Sequence, residues 1–458
     1  MAPTSRIALV TDSIRSRINA RLLCAGDRLP SVRASAAALG VSPATVVEAY
    51  DRLVAEGLIE ALPRSGFFVS RLATAPKSPA DNAPARQPEI DPFWVSRQSL
   101  DAEAGTEKPG CGWLPAEWMP QAALQKALRE VGRDALTLTA YGSTRGDPAL
   151  RRQLALRFAA EGLMVPAEQI LLTGSGTQAI DLICRLLLRP GDTVLVDDPC
   201  YFNFQALLAA HHARIVSVPF TPTGPDPAQF EAIVAQERPR LYITNSALHN
   251  PTGASISPQV AHRLPAIAAA HGMVIVEDDI FADFAPHTPR MAVLDGLSSV
   301  IRIGSFSKTL SGSVRCGYIA ARGEWISALA DLQVATSFGG PSPLTTAIIA
   351  HVLASGTYRK HVEDLRRKLA RAERDLAGRL AALGLTPWIE PAGGFYLWCR
   401  VPEGQDSGRL ARACLAREVI LAPGNVFSPS QSASAYLRFN TAQTSPRALQ
   451  VLAEVMRV

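Results

Sequence analysis

"SFSKTLSGSVRCGY", residues 305–318, sets one lysine among serine, threonine and glycine, directly after the apolar run "SVIRIG" (299–304). An apolar run that stops abruptly at small polar residues reads as a strand opening into a loop, and "CGYIAA" (316–321) reads as another strand. Lys308 therefore lies just past a strand end, with Arg315 close behind it. A lysine amine that is partly desolvated beside a cation gives up its proton more readily and becomes a nucleophile. Arg315 follows at a distance suited to a shared phosphate.

Outward from this loop, strand-like runs alternate with helical stretches: "QILLTG" (169–174), "TVLVDDP" (193–199), "RIVSVPF" (214–220), "LYITNS" (241–246) and "MVIVED" (273–278). The connections are long enough for crossover helices, so the pattern predicts an α/β body with a mostly parallel sheet covered on both faces. Ligands of such sheets gather at the carboxyl ends of the strands. Gly174, Ser175, Gly176 and Thr177 precede a helix there, where free N–H groups and the helix dipole favour a phosphate. Tyr201 follows the second strand and can lie against a flat ring. Asn250, in "HNPTG", offers an amide that can donate to an oxygen. Asp278 ends an apolar run, where a lone acid is costly to keep charged unless a cation meets it.

The first 70 residues are of another kind. "SVRASAAALG" starts at Ser31, an N-cap behind Pro30, and stops at Gly40. After a very short turn, "SPATVVEAYDRLVAEG" takes Ser42 as cap and Pro43 at its first position, with Val46, Ala49, Tyr50 and Leu53 facing inward. Two helices joined so tightly form a helix-turn-helix. Thr11, Asp12 and Ser13 read as the cap of an earlier helix that sets Ile14, Ile18 and Leu22 on one face and closes at Gly26. "LIEALPRSGFFV" (58–69) reads as strand, turn at Arg64, Ser65 and Gly66, then strand, which supplies a wing. Residues 1–71 carry nine arginines against six acidic residues, a net of +3 out of +5 for the whole chain. This is the segment to expect against a phosphate-rich partner. "RLATAPKSPADNAPARQPEIDP" (71–92) is rich in proline and alanine without apolar period, and reads as a flexible linker.

At 458 residues the chain exceeds one ordinary core, and its 19% charged content is that of a globular protein. No apolar run is long enough to span a membrane, and the N-terminus lacks the pattern of a secretory signal, so a cytoplasmic protein is expected. Seven cysteines without a CxxC pair argue against a disulfide framework or a zinc site, and read as buried thiols.

The head, above all "GDRLPSVRASAAALGVSPATVVEAYDRLVAEGLIE" (26–60), resembles the winged helix of the GntR regulator family. The ordered series "GSGTQ", "HNPTG", "VEDD", "SFSKT", "VRCGY" and "YLRFN" resembles the fold-type I aminotransferases. The combination is similar to the MocR subfamily of GntR regulators. The resemblance implies three parts: a DNA-binding winged helix-turn-helix over 1–72, a linker over 73–92, and a pyridoxal-phosphate-binding body over 93–458. A smaller C-terminal α/β subdomain is expected from about residue 345. Lys308 is implied to hold pyridoxal 5'-phosphate as an imine, Asp278 to pair with the pyridine nitrogen, Asn250 to bind the phenolic oxygen and Tyr201 to stack on the ring. Ser175, Gly176, Thr177, Ser305 and Arg315 would take the phosphate.

Tyr141 matches a position that reaches the phosphate of a neighbouring subunit, which implies a homodimer. Arg438 matches the clamp for a substrate carboxylate, with Gly112 lining that end. Arg33, Ser42, Thr45, Arg64 and Gly66 are implied to meet double-stranded DNA. The sequence departs from the head's usual pattern at Pro43 and Val47, where arginine is common. It departs again at Phe281, where a tyrosine usually donates to the phenolic oxygen. Two readings follow: a transcriptional regulator that senses an amino compound or vitamin B6 at Lys308, or a working aminotransferase with an accessory head. The complete winged helix and Phe281 favour the first.

Overall fold

The computed structural model describes residues 5–20, 22–63, 65–70 and 93–457. The chain divides into two compact units, residues 1–88 and 89–458. The expected linker, 73–92, lies outside the described residues.

In the first unit, α1 (Arg6–Asn19), α2 (Val32–Leu39) and α3 (Pro43–Ala55) are followed by the antiparallel pair β1 (Ile59–Leu62) and β2 (Gly66–Val69). Ser31 and Ser42 are the N-caps of α2 and α3, each accepting a backbone N–H three residues on at 3.2 Å. Gly40 takes the left-handed conformation (φ +64°) that lets α2 stop and α3 start three residues later. Val46, Ala49, Tyr50 and Leu53 are fully buried against Val10, Ile14 and Ile18. The Tyr50 hydroxyl is tied to Ser35 at 2.7 Å and donates to the Pro30 carbonyl.

Two expectations fail here. The first helix does not begin at Thr11–Ser13 but at Arg6, because Ile7 and Val10 already extend the apolar face of Ile14 and Ile18 toward the N-terminus. The Thr11 hydroxyl is satisfied within the helix by the Ile7 and Ala8 carbonyls instead of capping it. The helix also ends well before Gly26, so Leu22 is exposed and Val10 takes the place expected for it on the buried face. Cys24, beyond that end, is exposed, whereas the other six cysteines are buried.

The second unit is built on an eight-stranded sheet of order β3-β10-β9-β8-β7-β4-β5-β6. Its strands are β3 (Ile170–Thr173), β4 (Thr193–Asp198), β5 (Arg214–Thr221), β6 (Gly224–Pro225), β7 (Leu241–Thr244), β8 (Val274–Asp278), β9 (Val300–Ser305) and β10 (Gly317–Ala320). The five strands from β9 to β5 are parallel. β10 enters antiparallel between β3 and β9, and β6 pairs antiparallel at the far edge. The mostly parallel sheet expected from the apolar runs is thus present. Successive residues alternate between two apolar layers: Leu195, Tyr242 and Ile275 pack into one, Val196, Ile243 and Val276 into the other.

A smaller antiparallel sheet, β11 (Thr386–Pro387), β12 (Tyr396–Arg400), β14 (Tyr436–Asn440) and β13 (Ala422–Pro423), lies between the long helix Thr357–Ala382 and the last helix Pro446–Met456 in sequence. Among the described residues no helix is long and apolar enough to cross a membrane. No cluster of three or more metal-ligating side chains occurs there either.

Candidate functional site

The carboxyl ends of β3, β4, β7, β8 and β9 converge on one cavity of about 170 Å³. The chain places β10 so that Gly317 faces Thr173 on one side and Ser305 on the other. That register sets the turn after β3 beside the lysine loop after β9. Only glycine permits it: a Cβ at 317 would lie 2.7 Å from the Ser175 carbonyl carbon and 2.8 Å from the Gly176 nitrogen.

Ser175 caps the helix Gly176–Leu187, its hydroxyl accepting from Gln178 N–H at 3.0 Å. The N–H groups of that first turn border the cavity together with Ser305, Ser307 and Arg315. Ser305 Oγ donates to the Cys316 carbonyl at 3.0 Å, which ties the two ends of the lysine loop together. Arg315 sits in a left-handed backbone conformation (φ +39°) and is exposed on its outer side.

Lys308 Nζ donates to the Gly112 carbonyl at 2.5 Å. Burial, helped by the nearby guanidinium of Arg438, pulls its pKa down to about 8. Asp278 is buried and accepts the Ile280 N–H at 3.2 Å, and burial pushes its carboxyl up to about 7. Asn245, with its amide 3.1 Å from the Asp278 carbonyl, lines the same wall.

Arg438, on β14, is 1% exposed. It donates to the Asn250 side-chain oxygen at 2.8 Å and to the Gly110 carbonyl at 2.7 Å, and its Nε has no partner among the described residues. Behind the site, Asp197 accepts from the Tyr242 and Thr244 hydroxyls at 2.6 Å each, fastening β4 to β7 and hence the Tyr201 turn to the Asn250 turn. Asp279 and Glu161 hold Arg302 at 2.6 Å beneath the lysine loop.

Of the residues expected at the site, Ser175, Gly176, Thr177, Tyr201, Asn250, Asp278, Ser305, Lys308, Arg315, Arg438 and Gly112 all line this cavity. Tyr141 does not. It is 86% exposed, and its ring meets that of Phe338, itself exposed, edge-on at 5.4 Å. Phe281 lines the cavity as a buried ring without a hydroxyl, edge-on to Tyr396 at 5.6 Å. Sequence reasoning missed Trp113, Tyr396, Phe202 and a whole wall element, α4 (Trp94–Leu100), which contributes Val95, Ser96 and Ser99.

In the head, Arg33 is exposed on α2, and the Ser42 and Thr45 hydroxyls lie 2.8 Å apart at the start of α3. Gly66 opens β2 at φ +101°, and the Arg28 guanidinium reaches within 3.7 Å of where its Cβ would be, an arginine the motif reading overlooked. Arg64 lies outside the described residues.

Residues 115–456 match the family model of aminotransferase class I and II, and residues 7–69 that of bacterial regulatory proteins of the gntR family. The chain is 29% identical over 448 residues to the uncharacterized HTH-type transcriptional regulator YdcR of Escherichia coli, covering 94% of each. Over 355 residues it is 29% identical to the 2-aminoadipate transaminase of Thermus thermophilus, covering 74% of this chain and 87% of that one. The crystal structure of LysN, the alpha-aminoadipate aminotransferase of the same species, complexed with N-(5'-phosphopyridoxyl)-L-leucine, superposes with a TM-score of 0.71 at 25% identity. That match covers 79% of this chain and 94% of the other.

Pyridoxal 5'-phosphate is the cofactor of this fold, and the donors and acceptors present fit it. A buried carboxylate without a cationic side chain in hydrogen-bond contact suits a protonated ring nitrogen. A helix start pressed against Gly317 suits a phosphate, and a depressed lysine suits an aldehyde.

Proposed function

Because the chain belongs to the class I and II aminotransferase family and bears a gntR-type head, we propose that it is a pyridoxal-phosphate-dependent transcriptional regulator. Paired heads bind double-stranded DNA, and the body reads an amino compound or a form of vitamin B6 at Lys308. The observation that carries this reading is the coexistence of a helix-turn-helix with the caps of α2 and α3 made and its core closed, and a cavity lined by every residue of one subunit expected to meet the cofactor.

When bound, pyridoxal phosphate supplies an aldehyde that a primary amine can capture. Lys308 supplies that amine from within the chain, and its depressed pKa leaves about a tenth of it neutral at pH 7. Asp278 holds the ring nitrogen's proton, Asn250 serves the ring oxygen and Tyr201 flanks the ring. Ser175, Gly176, Thr177, Ser305 and Arg315 bind the phosphate. Arg438, next to Gly112, orients a carboxylate on the incoming compound.

Tyr141, which the single chain leaves outside its own cavity, completes the phosphate site of a second copy, so the working form is a homodimer. In the head, Ser42, Thr45 and Gly66 approach the DNA with Arg33 and Arg64 on its backbone. The units act as 1–72, 73–92 and 93–458, with the region from about 345 as a subdomain, in the cytoplasm. A ligand moves DNA binding only by its differential affinity for the two states of the body.

The test is spectroscopic. Wild type incubated with pyridoxal phosphate turns yellow, Lys308→Ala does not, and an added amino acid alters the spectrum without accumulating a 2-oxo acid. A colourless wild type refutes the reading. The second reading, a working aminotransferase, draws support from the intact set of Lys308, Asp278 and Arg438. Phe281 counts against it, since its ring offers no proton beside the cofactor. Many-turnover production of a 2-oxo acid would establish it.

A further inference from the structure

Arg438 is a buried cation in search of an anion. Its guanidinium carbon lies 4.3 Å from the centre of the Tyr396 ring and 4.7 Å from that of Phe427, so aromatic carbon packs against it from two side chains. For its N–H groups the protein offers a neutral amide oxygen and a backbone carbonyl, and no carboxylate among the described residues pairs with it. A cation so placed is costly until a negative charge reaches it.

The neighbouring donor is Tyr396. Strands β12 and β14 pair Tyr396 with Asn440 and Trp398 with Arg438, which makes Tyr396 and Arg438 diagonal neighbours on one face of the small sheet. The ring is held edge-on by Phe281 at 5.6 Å, and its hydroxyl points to the Gly112 carbonyl at 3.3 Å. That bond is long for an O–H donor, and the same carbonyl also receives Lys308 at 2.5 Å. A Cβ at Gly112 would stand 3.4 Å from the Tyr396 hydroxyl and 4.0 Å from an Arg438 terminal nitrogen. The absent side chain thus leaves open space bordered by both donors. Burial raises the phenol's pKa well above its ordinary value, so the hydroxyl keeps its proton and remains a donor.

We propose that Tyr396 is a second donor to the ligand's carboxylate, working beside Arg438, and that it makes the cavity prefer α-amino acids over amines that lack a carboxylate. The inference rests on the sensing reading above. The incoming carboxylate oxygen replaces the Gly112 carbonyl as the acceptor of the Tyr396 hydroxyl, exchanging a long neutral contact for a charge-assisted one.

Tyr396→Phe keeps the ring, its cover over Arg438 and its contact with Phe281 while deleting the hydroxyl. Holoprotein carrying pyridoxal phosphate is titrated with L-alanine and with ethylamine, and each apparent Kd is read from the cofactor's absorbance. The variant should weaken L-alanine by roughly tenfold and leave ethylamine and the cofactor's own spectrum unchanged. An equal loss for both compounds marks a merely structural role and overturns the assignment, as does an unchanged alanine Kd. A wild-type spectrum that no primary amine perturbs overturns the sensing reading itself, and this inference with it.

Discussion

Removing the charge of Asp278 should strengthen the cofactor-free protein and weaken the loaded one. Burial raises the Asp278 carboxyl from 3.8 to about 7, so the folded chain holds that proton far more tightly than the unfolded chain does. Below pH 4 both states are protonated and nothing is lost. As pH climbs from 4 to 7 the unfolded state releases its proton first, and folded stability falls, reaching its full deficit above pH 7. A rise of about three units at 1.36 kcal/mol each sets a ceiling near 4 kcal/mol.

Asp278→Asn removes this dependence while keeping the size of the side chain. The six tryptophans, Trp94, Trp113, Trp118, Trp325, Trp388 and Trp398, all lie in the body, so their fluorescence follows its urea unfolding without interference from the head. At pH 8 the cofactor-free variant should exceed wild type by a few kcal/mol, with the gap closing toward pH 4, whereas its affinity for pyridoxal phosphate should drop by an order of magnitude or more. A variant less stable than wild type at pH 8, or a gap that does not vary with pH, would refute the reasoning.

Capture of pyridoxal phosphate by the cofactor-free protein requires the neutral Lys308 amine. Its rate should climb with pH, pass half its maximum near 8 and level off above about 9, and a stopped-flow trace with its midpoint near 10 would contradict the depressed pKa. Gly317→Ala drives a methyl group into the start of the phosphate turn. It should cost about 1–3 kcal/mol in thermal unfolding and lower the affinity for pyridoxal phosphate. Ser42→Ala strips the cap from α3 and should lower the head's stability by about 1 kcal/mol in denaturant melts. Full-length wild type should protect two DNA half-sites in footprints with an affinity that falls steeply with salt, and Arg33→Ala should weaken binding evenly across sequences.

What was legible in the sequence followed from local chemistry. Apolar runs ending in polar turns located the main strands from β3 to β10, and the same punctuation put Lys308, Asp278 and Ser175 at or just past strand ends. Ser31 and Ser42 were readable as caps because nothing upstream continued the helix. Thr11 was misread for the opposite reason: a helical residue with a hydroxyl looks like a cap until the apolar spacing before it is weighed.

Tyr396 was hidden because its role depends on strand register. "GGFYLW" runs apolar throughout like any fully buried strand, and only pairing with β14 puts its tyrosine rather than Phe395 beside Arg438. Val95, Ser96 and Ser99 were hidden because the wall they form is separated from Lys308 by two hundred residues of chain, with no motif to mark it.

Helix α4 has a practical bearing on how the ligand-binding half is dissected. The match to the aminotransferase class I and II family model starts at residue 115, yet Val95, Ser96, Ser99, Gly112 and Trp113 close one side of the chamber. A fragment trimmed to the homologous core would present a half-open vessel, and its ligand preferences would misrepresent those of the intact chain. Excision has to fall ahead of residue 93, and selectivity inferred by aligning only 115–456 leaves one wall of the chamber out of the comparison.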